Sequence, residues 1–485
     1  MGTLEQLGRF WHIAVAGLSL LLAVVASAHT LLNKRDSRAA VAWVGLIWLV
    51  PLGGAVLYFV FGVNRIRRRA VLLRANIERV RSVAAVSPCG PEVLEQALPE
   101  DAKHLTSIAR VVDRAAGRPL LQGNRVEPLI NGDDAYPAML RAIADARHSV
   151  ALATYIFDRD EAGLAFARAL ADAVKRGVEV RVLIDAAGTR YSWPPILGVL
   201  RRGRVRYARF LPAFALWRLM SMNLRNHRKL LVVDGRVGFT GGMNIRVGHW
   251  VERQPPRPVL DLHFRVDGPI VSQLQEVFAE DWHFTTGEAL RDERWFPALE
   301  SAGSVVARGI ADGPDEHVDP LRWAILASLS AARRSVRVAT PYFLPDASVI
   351  AALNLAAMRN VVVDIVLPAK SNLPFVHWAS RALWWQVLER GCRLWLTSGP
   401  FDHSKLLLVD ETWTMLGSTN WDPRSLRLNF EFDLECYDRP LAARLNHWFE
   451  SKLTRSRQVS LAEVDGRPLP IRLRDAAARL FSPYL

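Results

Sequence analysis

The sequence predicts an α/β protein built from two similar halves in tandem, with a pair of apolar helices ahead of them. Three observations lead to this prediction. Two long apolar stretches open the chain, a strand–helix–strand pattern occurs twice, and the octapeptide pattern H-x-K-x-x-x-x-D occurs twice. A repeat of this length is too long for a solenoid. The alternation of apolar strands with amphipathic helices is typical of an α/β sandwich around a mixed or mostly parallel sheet.

The first element is the pair of apolar stretches, residues 10–32 and 39–63, which are separated by the polar sequence NKRDSR. Each is close to the roughly 20 residues that span a bilayer, which predicts a transmembrane hairpin of two helices. The alternative is a cleaved signal peptide ending near Ala26 and Ala28, but its amino-terminal region has only Arg9, offset by Glu5.

Basic residues flank this hairpin unequally. Those before the first stretch and after the second outnumber those in the loop, which predicts a cytoplasmic N-terminus and a cytoplasmic body. The residues compared are Arg9, Arg65, Arg67, Arg68, Arg69, Arg74 and Arg79 against Lys34, Arg35 and Arg38.

The duplication sets the expected domain boundaries. They are a hairpin at 1–64, a membrane-proximal connector at 65–117, a first half at 118–300 and a second half at 301–485. Each half begins with a similar strand, ARHSVALATYIF at 146–157 and ARRSVRVATPYF at 332–343. An amphipathic helix and another strand follow in both halves, so we expect a fused tandem pair.

Each half then carries one copy of the octapeptide, whose residue types suit phosphoryl transfer. The copies are His227, Lys229 and Asp234, and His403, Lys405 and Asp410. An imidazole is a nucleophile near neutral pH and can also act as acid or base. The lysines place positive charge against non-bridging phosphate oxygens, and no metal is required. A single His-x-Lys would be better explained as a surface accident, but two copies with matching flanks predict one active site built from both.

Small and polar residues follow each octapeptide. We expect the amides of Asn244 and Asn420, and the hydroxyl of Ser418, to donate hydrogen bonds to a phosphate, although Gly-Gly and Gly-Ser turns are also ordinary strand ends. Asp261, downstream of His227, and Glu431, downstream of His403, are candidates for fixing a histidine tautomer. The motif residues Asp234 and Asp410 are expected to anchor turns rather than touch substrate.

These motifs resemble the phospholipase D superfamily, and the flanking sequence resembles its bacterial cardiolipin synthase branch over almost the whole chain. The segments that carry the resemblance are AWVGLIWLVPLGGAVLYFVFG, YIFDRDEAG, NLRNHRKLLVVDGRVGFTGGMNI, DGPIVSQLQEVFAEDW, TPYFLPD and GSTNWDPRSLRLNFE. The resemblance implies two phospholipase D-like α/β sandwich domains in tandem, behind the transmembrane hairpin, with one active site on a pseudo-twofold axis.

The resemblance also implies a phosphatidyl transfer without cofactor or metal. One histidine forms a phosphohistidine with the phosphatidyl group of one phosphatidylglycerol, and the other protonates the leaving glycerol. A second phosphatidylglycerol then displaces the histidine to give cardiolipin. By analogy His227 is the nucleophile and His403 the acid and base, although the opposite assignment is open. Asp402, directly before His403, departs from the family pattern, and a carboxylate there is expected to raise the histidine pKa or alter the acceptor site.

Charge and composition indicate an anionic partner. The net charge is +14 and the sequence pI is about 10.2, which suits either nucleic acid or an anionic lipid surface. The apolar N-terminal stretches favour lipid. Residues 201–229 mix nine basic residues with apolar ones and contain no acidic residue, a composition typical of a segment at a membrane interface or of a loop packed into the core. The chain has 3 cysteines without metal-ligand spacing, and this favours a reducing compartment.

Two other functions remain open from the sequence. A hydrolase of the same superfamily, a phospholipase D or a nuclease, would let water resolve the phosphohistidine. A lipid-binding protein without activity would not need both motifs intact. The sequence does not indicate the donor and acceptor headgroups, the acyl-chain preference or the oligomeric state.

Overall fold

The computed structural model describes residues 2–34, 37–62, 88–211, 224–313 and 319–482. The chain divides into two units, Met1–Ala70 and Val71–Leu485. Residues 65–87 of the expected connector, which include Arg65 to Arg79, and residues 212–223 of the basic segment lie outside the described residues.

The first unit consists of apolar helices. The helix α1 (Gly2–Asn33) is followed by α2 (Ser37–Leu49), by α3 (Pro51–Leu57) and by a π-helical turn, Tyr58–Gly62. Pro51 divides the second apolar stretch because proline lacks the amide hydrogen that would continue the helix, and its ring restricts Val50. Among the described residues, one helical segment, Trp11–Asn33, is long and apolar enough to span a bilayer. The expected pair of spanning helices is therefore not confirmed.

Small residues allow α1 to pack closely on the second stretch. Ala23, Ala26 and Ala55 are buried there with Ile47 and Tyr58, in the manner of helix contacts in membranes. Most other large apolar side chains of this unit are exposed, including Trp11, Leu21, Leu32 and Trp48. An apolar surface of this extent is typical of a segment surrounded by lipid.

The second unit is built on one large mixed sheet. In the first half the strands are β1 (Leu121–Ile130), β2 (Ser149–Thr154), β3 (Glu179–Asp185), β4 (Tyr207–Phe210), β5 (Leu230–Val233), β6 (Val237–Gly241), β7 (Val259–Leu260) and β8 (Leu262–Asp267). In the second half they are β9 (Val305–Asp312), β10 (Ser335–Ala339), β11 (Val362–Pro368), β12 (Arg393–Thr397), β13 (Phe401–Asp402), β14 (Leu406–Val409), β15 (Trp413–Gly417), β16 (Glu431–Tyr437) and β17 (Ser456–Val459).

The order of these strands repeats the duplication seen in the sequence. Outward from β1 the sheet runs β8, β6, β5, β2, β3, β4, and outward from β9 it runs β16, β15, β14, β10, β11, β12, with β17 added at the edge. The strands β1 and β9 pair antiparallel and join the halves. The mixed α/β fold is thus confirmed, and the two halves share one continuous sheet.

Helices cover the sheet in each half. Those of the first half are α6 (Asn131–Asp145), α7 (Glu161–Lys175), α8 (Leu197–Arg202) and α9 (Val271–Thr286). Those of the second are α10 (Pro320–Ala331), α11 (Ala347–Met358), α12 (Pro374–Arg381), α13 (Trp384–Leu388), α14 (Arg439–Leu453), α15 (Leu461–Asp465) and α16 (Leu469–Arg479). The helices α7, α11 and α14 begin at aspartates whose carboxylates accept backbone amide hydrogens, Asp160, Asp346 and Asp438.

The described part of the connector packs on the second half. Its helices α4 (Pro91–Ala97) and α5 (Thr106–Ala116) contribute Leu94, Ile108 and Val112 to the same apolar core as the second-half strands. The first half has a separate core between its own sheet and helices. Each octapeptide thus packs against the core of its own half.

Candidate active site

Each octapeptide leads into a strand of its own half, β5 or β14, and is attached to the other half. The backbone amide of His227 donates to the carbonyl of Phe430 at 2.9 Å, and that of His403 donates to the carbonyl of Leu260 at 2.7 Å. A short parallel pair, β7 with β13, and a bridge between Asn226 and Phe430 provide these contacts. The residues that follow Leu260 and Phe430 are the two candidate carboxylates.

The carboxylates therefore act across the halves. Nδ1 of His403 lies 2.8 Å from Oδ2 of Asp261 in hydrogen-bond geometry. Nδ1 of His227 lies 3.2 Å from Oε1 of Glu431, although the two atoms lack hydrogen-bond alignment. The order in the chain suggests the pairs His227 with Asp261 and His403 with Glu431, and the structure exchanges them. A carboxylate at Nδ1 makes this nitrogen the donor and leaves the lone pair of Nε2 for the substrate.

The lysines of the two motifs are buried and hold their own histidines in place. Nζ of Lys229 donates to the carbonyl of His227, and Nζ of Lys405 to the carbonyl of His403. Burial lowers the pKa of both lysines to about 8, although the nearby carboxylates Glu431 and Asp261 act to raise it. Both ammonium groups are still charged at neutral pH, in a setting with little water to screen them.

Burial and the lysine charges keep both imidazoles neutral. Burial is the main cause that lowers the pKa of His227 and His403 well below 6.5, and both Lys229 and Lys405 act on each histidine. That each lysine acts on both histidines indicates a single pocket. The neutral imidazoles can attack a phosphodiester, and the two lysine cations beside them can bind its negative charge.

The motif aspartates bind backbone, as expected. The carboxylate of Asp234 accepts from the amides of residues 147–149, and that of Asp410 accepts from residues 333–335. Nε2 of His104, from the connector, also lies 2.7 Å from Asp410. Both aspartates adopt the left-handed conformation, with φ of 51° and 50°. They fix the turn after each motif strand to the start of β2 or β10.

The expected phosphate donors have other partners in this structure. The hydroxyl of Ser418 donates to Oε2 of Glu431 at 2.5 Å, so it supports the carboxylate. Oδ1 of Asn244 accepts from the amide of Ile156, and Nδ2 of Asn420 donates to Ser425. All three side chains are buried. Their contacts order the turns around the pocket, and the hydrogen bonds from these side chains to a phosphate remain a prediction.

Aromatic residues that the motifs do not include line the site. The ring of Tyr155 lies 4.7 Å from that of His227, and the ring of Tyr342 lies 6.4 Å from that of His403. Each tyrosine closely follows the first strand of its repeat, although the two stand one position apart when ATYIF is aligned with ATPYF. The repeat itself was therefore a signal that sequence reasoning had available.

The departure at Asp402 is compensated within the structure. Nζ of Lys452 contacts Oδ2 of Asp402, and the Ser404 hydroxyl donates to Oδ1 at 2.7 Å. Burial raises the pKa of Asp402, but these two partners outweigh it, so the pKa lies below its ordinary value. Asp402 acts to raise the pKa of His403, as expected, but burial and the charges of Lys405 and Lys229 outweigh it, so this pKa lies well below 6.5.

Comparisons with known proteins show which family this chain resembles. A family model described as "Cardiolipin synthase, PLD-like domain" matches residues 139–282 and 325–453, and one described as "Phospholipase_D-nuclease N-terminal" matches residues 21–62. The chain is 30% identical to "Cardiolipin synthase 1" of Bacillus cereus, over 99% of the chain and 94% of that protein. It is 31% identical to "Cardiolipin synthase A" of Pseudomonas putida, over 97% of both. A phosphatidylserine synthase from Haemophilus influenzae has a similar fold, with a TM-score of 0.59 and 14% identity over 78% of this chain and 100% of that one.

Proposed function

The chain belongs to the phospholipase D-like cardiolipin synthase family, and we propose that it joins two phosphatidylglycerol molecules into cardiolipin and glycerol through a phosphohistidine. The relatives named cardiolipin synthase extend over nearly the whole chain. The enzyme is a phosphatidyltransferase of phospholipid biosynthesis. The single observation that carries the mechanism is the exchange of carboxylates, which brings two histidines and two lysines into one pocket.

In the first half-reaction Nε2 of His227 attacks the phosphorus of the donor lipid. The N–P bond forms as the P–O bond to the glycerol headgroup breaks, and His403 gives its proton to the departing oxygen. Glu431 faces the proton on Nδ1 of His227, and Asp261 accepts that of His403. Lys229 and Lys405 stabilise the charge on the non-bridging oxygens. An anionic phosphate in the pocket offsets the lysine charges, which raises the pKa of His403 and allows it to carry the proton.

In the second half-reaction the acceptor is the free hydroxyl of a second phosphatidylglycerol. His403 removes the proton of that hydroxyl, and the oxygen attacks phosphorus as the N–P bond to His227 breaks. Cardiolipin leaves and both histidines return to their starting states. The difference from a hydrolase is that a lipid hydroxyl, and not water, resolves the intermediate.

The body and the membrane anchor have separate roles in this proposal. The two halves act as tandem phospholipase D-like sandwich domains related by a pseudo-twofold axis near β1 and β9. The N-terminal unit inserts into the inner membrane of a bacterial cell as a multi-pass anchor, with the body in the cytoplasm. The exposed apolar side chains of α1 support insertion. Protease digestion of inside-out and right-side-out vesicles tests the orientation.

Product analysis tests the activity. Detergent-solubilised protein is incubated with phosphatidylglycerol alone, without divalent metal, and lipids and glycerol are followed by mass spectrometry. Cardiolipin with an equal amount of glycerol is the expected result. Phosphatidic acid with glycerol would identify a phospholipase D instead, and no turnover would contradict the proposed donor. His227→Ala and His403→Ala are each expected to abolish transfer, whereas His148→Ala, at an exposed histidine, is the matched control.

A further inference from the structure

Each histidine lies at the edge formed by the carboxyl ends of its own half's parallel strands, and each half extends a loop from that edge. The strand β14 runs antiparallel to β10, with Leu406 opposite Ala339, so His403 lies beyond the carboxyl end of β10. The strand β5 is related to β2 in the same way, with Leu230 opposite Ala153. Because β3 and β11 are parallel to β2 and β10, the segments that follow them emerge at the edge with the histidines.

These two segments present apolar side chains to the solvent. In the first half Tyr191 is exposed and Trp193 is 93% exposed. The ring of Tyr191 lies 6.0 Å from Tyr155, the residue beside His227. In the second half Leu373 and Phe375 are exposed at the start of α12. Large apolar side chains rarely remain in water at corresponding places of a repeat without a partner that covers them.

The C-terminal helix α16 extends the apolar surface of the second half. It packs on α12 through Ala478, which lies in a small core with Leu344, Ala379 and Leu383. The ring of Phe481 lies 5.6 Å from that of Phe375. The outer side of α16 leaves Leu469, Leu473 and Leu480 exposed.

Charge identifies the kind of partner. The helix α16 carries Arg472, Arg474 and Arg479, and its one acidic residue, Asp475, is buried. Asp475 is bound by Arg467 at 2.7 Å and by Arg474 at 2.7 Å. The exposed side of α16 is therefore basic as well as apolar, a combination that binds anionic lipid headgroups while the apolar side chains enter the interface.

A narrow crevice lies between this surface and the segment that carries Tyr342. The other side of α12 contributes Val376, His377 and Ser380 to the crevice, whose opposite wall includes Tyr342. The ring of Tyr342 lies 6.4 Å from that of His403. The surface of α12 and α16 thus lies beside the reacting groups of the second half.

We propose that these side chains form a bilayer-contacting rim, defined as Tyr191, Trp193, Leu373, Phe375, Leu473 and Phe481. The rim rests on a bilayer that contains anionic phospholipid and directs the active-site edge toward the membrane. The inference rests on the proposed function and extends it, since it places the surface that contacts bilayer lipids on the side of the second half where His403 lies.

Site-specific quenching tests the contact without requiring turnover. Leu473→Cys and Met358→Cys are labelled with an environment-sensitive dye in the full chain, reconstituted in phosphatidylglycerol vesicles with and without brominated lipid. Leu473 is 61% exposed and Met358 is 65% exposed. Met358 ends the helix that precedes the amino end of β11, so it lies at the opposite edge. The native cysteines are buried and provide little background.

We expect brominated lipid to quench the dye at position 473 at least about twofold more than the dye at 358. Equal quenching at both positions, or none at 473, would overturn the proposed rim. Disulfide-linked dimers through position 473, without quenching by lipid, would show that a second copy covers the surface and would also overturn it.

Kinetics separate the rim from the chemistry. A variant with three exposed rim residues changed, Trp193→Ser, Leu373→Ser and Leu473→Ser, is assayed on long-chain phosphatidylglycerol in vesicles and on a short-chain phosphatidylglycerol that is monomeric in water. Turnover in vesicles is expected to fall at least about tenfold, and turnover of the monomeric substrate to stay within twofold. Equal loss on both substrates, or loss on neither, would contradict the rim. Failure of the unaltered chain on both substrates would instead contradict the proposed function.

Discussion

Among single residues, two neutral imidazoles beside two charged lysines are what the proposed phosphatidyl transfer requires. Burial and the lysine charges lower the pKa of His227 and His403 well below 6.5. Burial lowers the pKa of Lys229 and Lys405 to about 8. Over the range between these values the nucleophile has its lone pair and the phosphate-binding cations keep their charge.

The dependence of kcat/KM on pH follows from these directions, since kcat/KM reports the free enzyme. We expect kcat/KM to stay high as pH falls to 6.5 and to decrease only well below that value, where the imidazoles gain protons. It is expected to decrease again as pH rises through about 8, because the lysines lose their charge. A profile of kcat/KM for nitrophenolate release from a phosphatidyl donor with a p-nitrophenol leaving group checks both limbs. That group departs without a proton from His403, so the profile reports His227 and the two lysines alone. An acid limb at 6.5 or a basic limb above 10 would contradict the assigned environment.

The glycines at the ends of β6 and β15 make room for carboxylates. A Cβ on Gly242 would lie 2.3 Å from Oδ1 of Asp261, so a side chain there displaces the group that holds His403. We expect Gly242→Ala to lower kcat about 100-fold, the scale of a lost acid or base contribution, with the fold retained. Gly198→Ala is the matched control, because a Cβ there meets no atom within 4 Å. Circular dichroism and kcat measure the two effects, and an unchanged kcat in Gly242→Ala would refute the role of Asp261.

At the scale of elements, the exchange of partners comes from very short strand pairs. The sequence indicated the histidines, lysines and carboxylates that the structure brings together, since each type recurs in the duplicated segments. It did not indicate the exchange, because that depends on β7 pairing with β13 and on the bridge from Asn226 to Phe430. Pairs of one or two residues between distant segments leave no periodic pattern in a sequence.

The ion pairs between each motif and a helix packed on it were also not readable from the sequence. In the first half Arg228 binds Asp281 of α9, and in the second half Asp402 binds Lys452 of α14. The helix residue that binds the motif is therefore acidic in the first half and basic in the second. Asp402 therefore differs from Asn226 without leaving an unpaired charge near His403. Only the packing of α14 under the motif shows which basic residue compensates it.

A double-mutant cycle tests this compensation. Lys452→Met is expected to lower the free energy of unfolding by about 3–5 kcal/mol, because it leaves a buried carboxylate without its partner. Asp402→Asn with Lys452→Met is expected to restore most of that loss, since it removes both charges. Denaturant unfolding in detergent measures both. Lys175→Met, in the exposed pair with Asp172, is the control and is expected to have no measurable effect.

A double variant as unstable as Lys452→Met alone would show that the lysine matters for its packing and not for its charge. The aliphatic part of Lys452 is buried as well. Asp402→Asn alone distinguishes these cases further, because it keeps the packing of Lys452 and removes only the carboxylate charge.

At the scale of the whole molecule, the duplication is the feature that the sequence revealed best. The repeated segments predicted two similar halves of an α/β fold, and the strand order around β1 and β9 repeats in the structure. The sequence did not reveal that the halves share one sheet, because edge pairing between β1 and β9 has no motif of its own. The division of the second apolar stretch at Pro51 was readable, since proline inside a helix pattern ends the helix.

In the proposed mechanism both halves supply one site, in which His227 is the nucleophile and His403 moves the proton. A phosphatidyl donor with a p-nitrophenol leaving group tests it most directly, because that group departs without a proton. Rapid-mixing absorbance measures nitrophenolate per enzyme in the unaltered chain, in His227→Ala and in His403→Ala. In His403→Ala we expect nitrophenolate release equal to the enzyme concentration, followed by slow turnover. In His227→Ala we expect no nitrophenolate release. Release in His227→Ala but not in His403→Ala would reverse the two roles, and equal release in both variants would contradict a shared site.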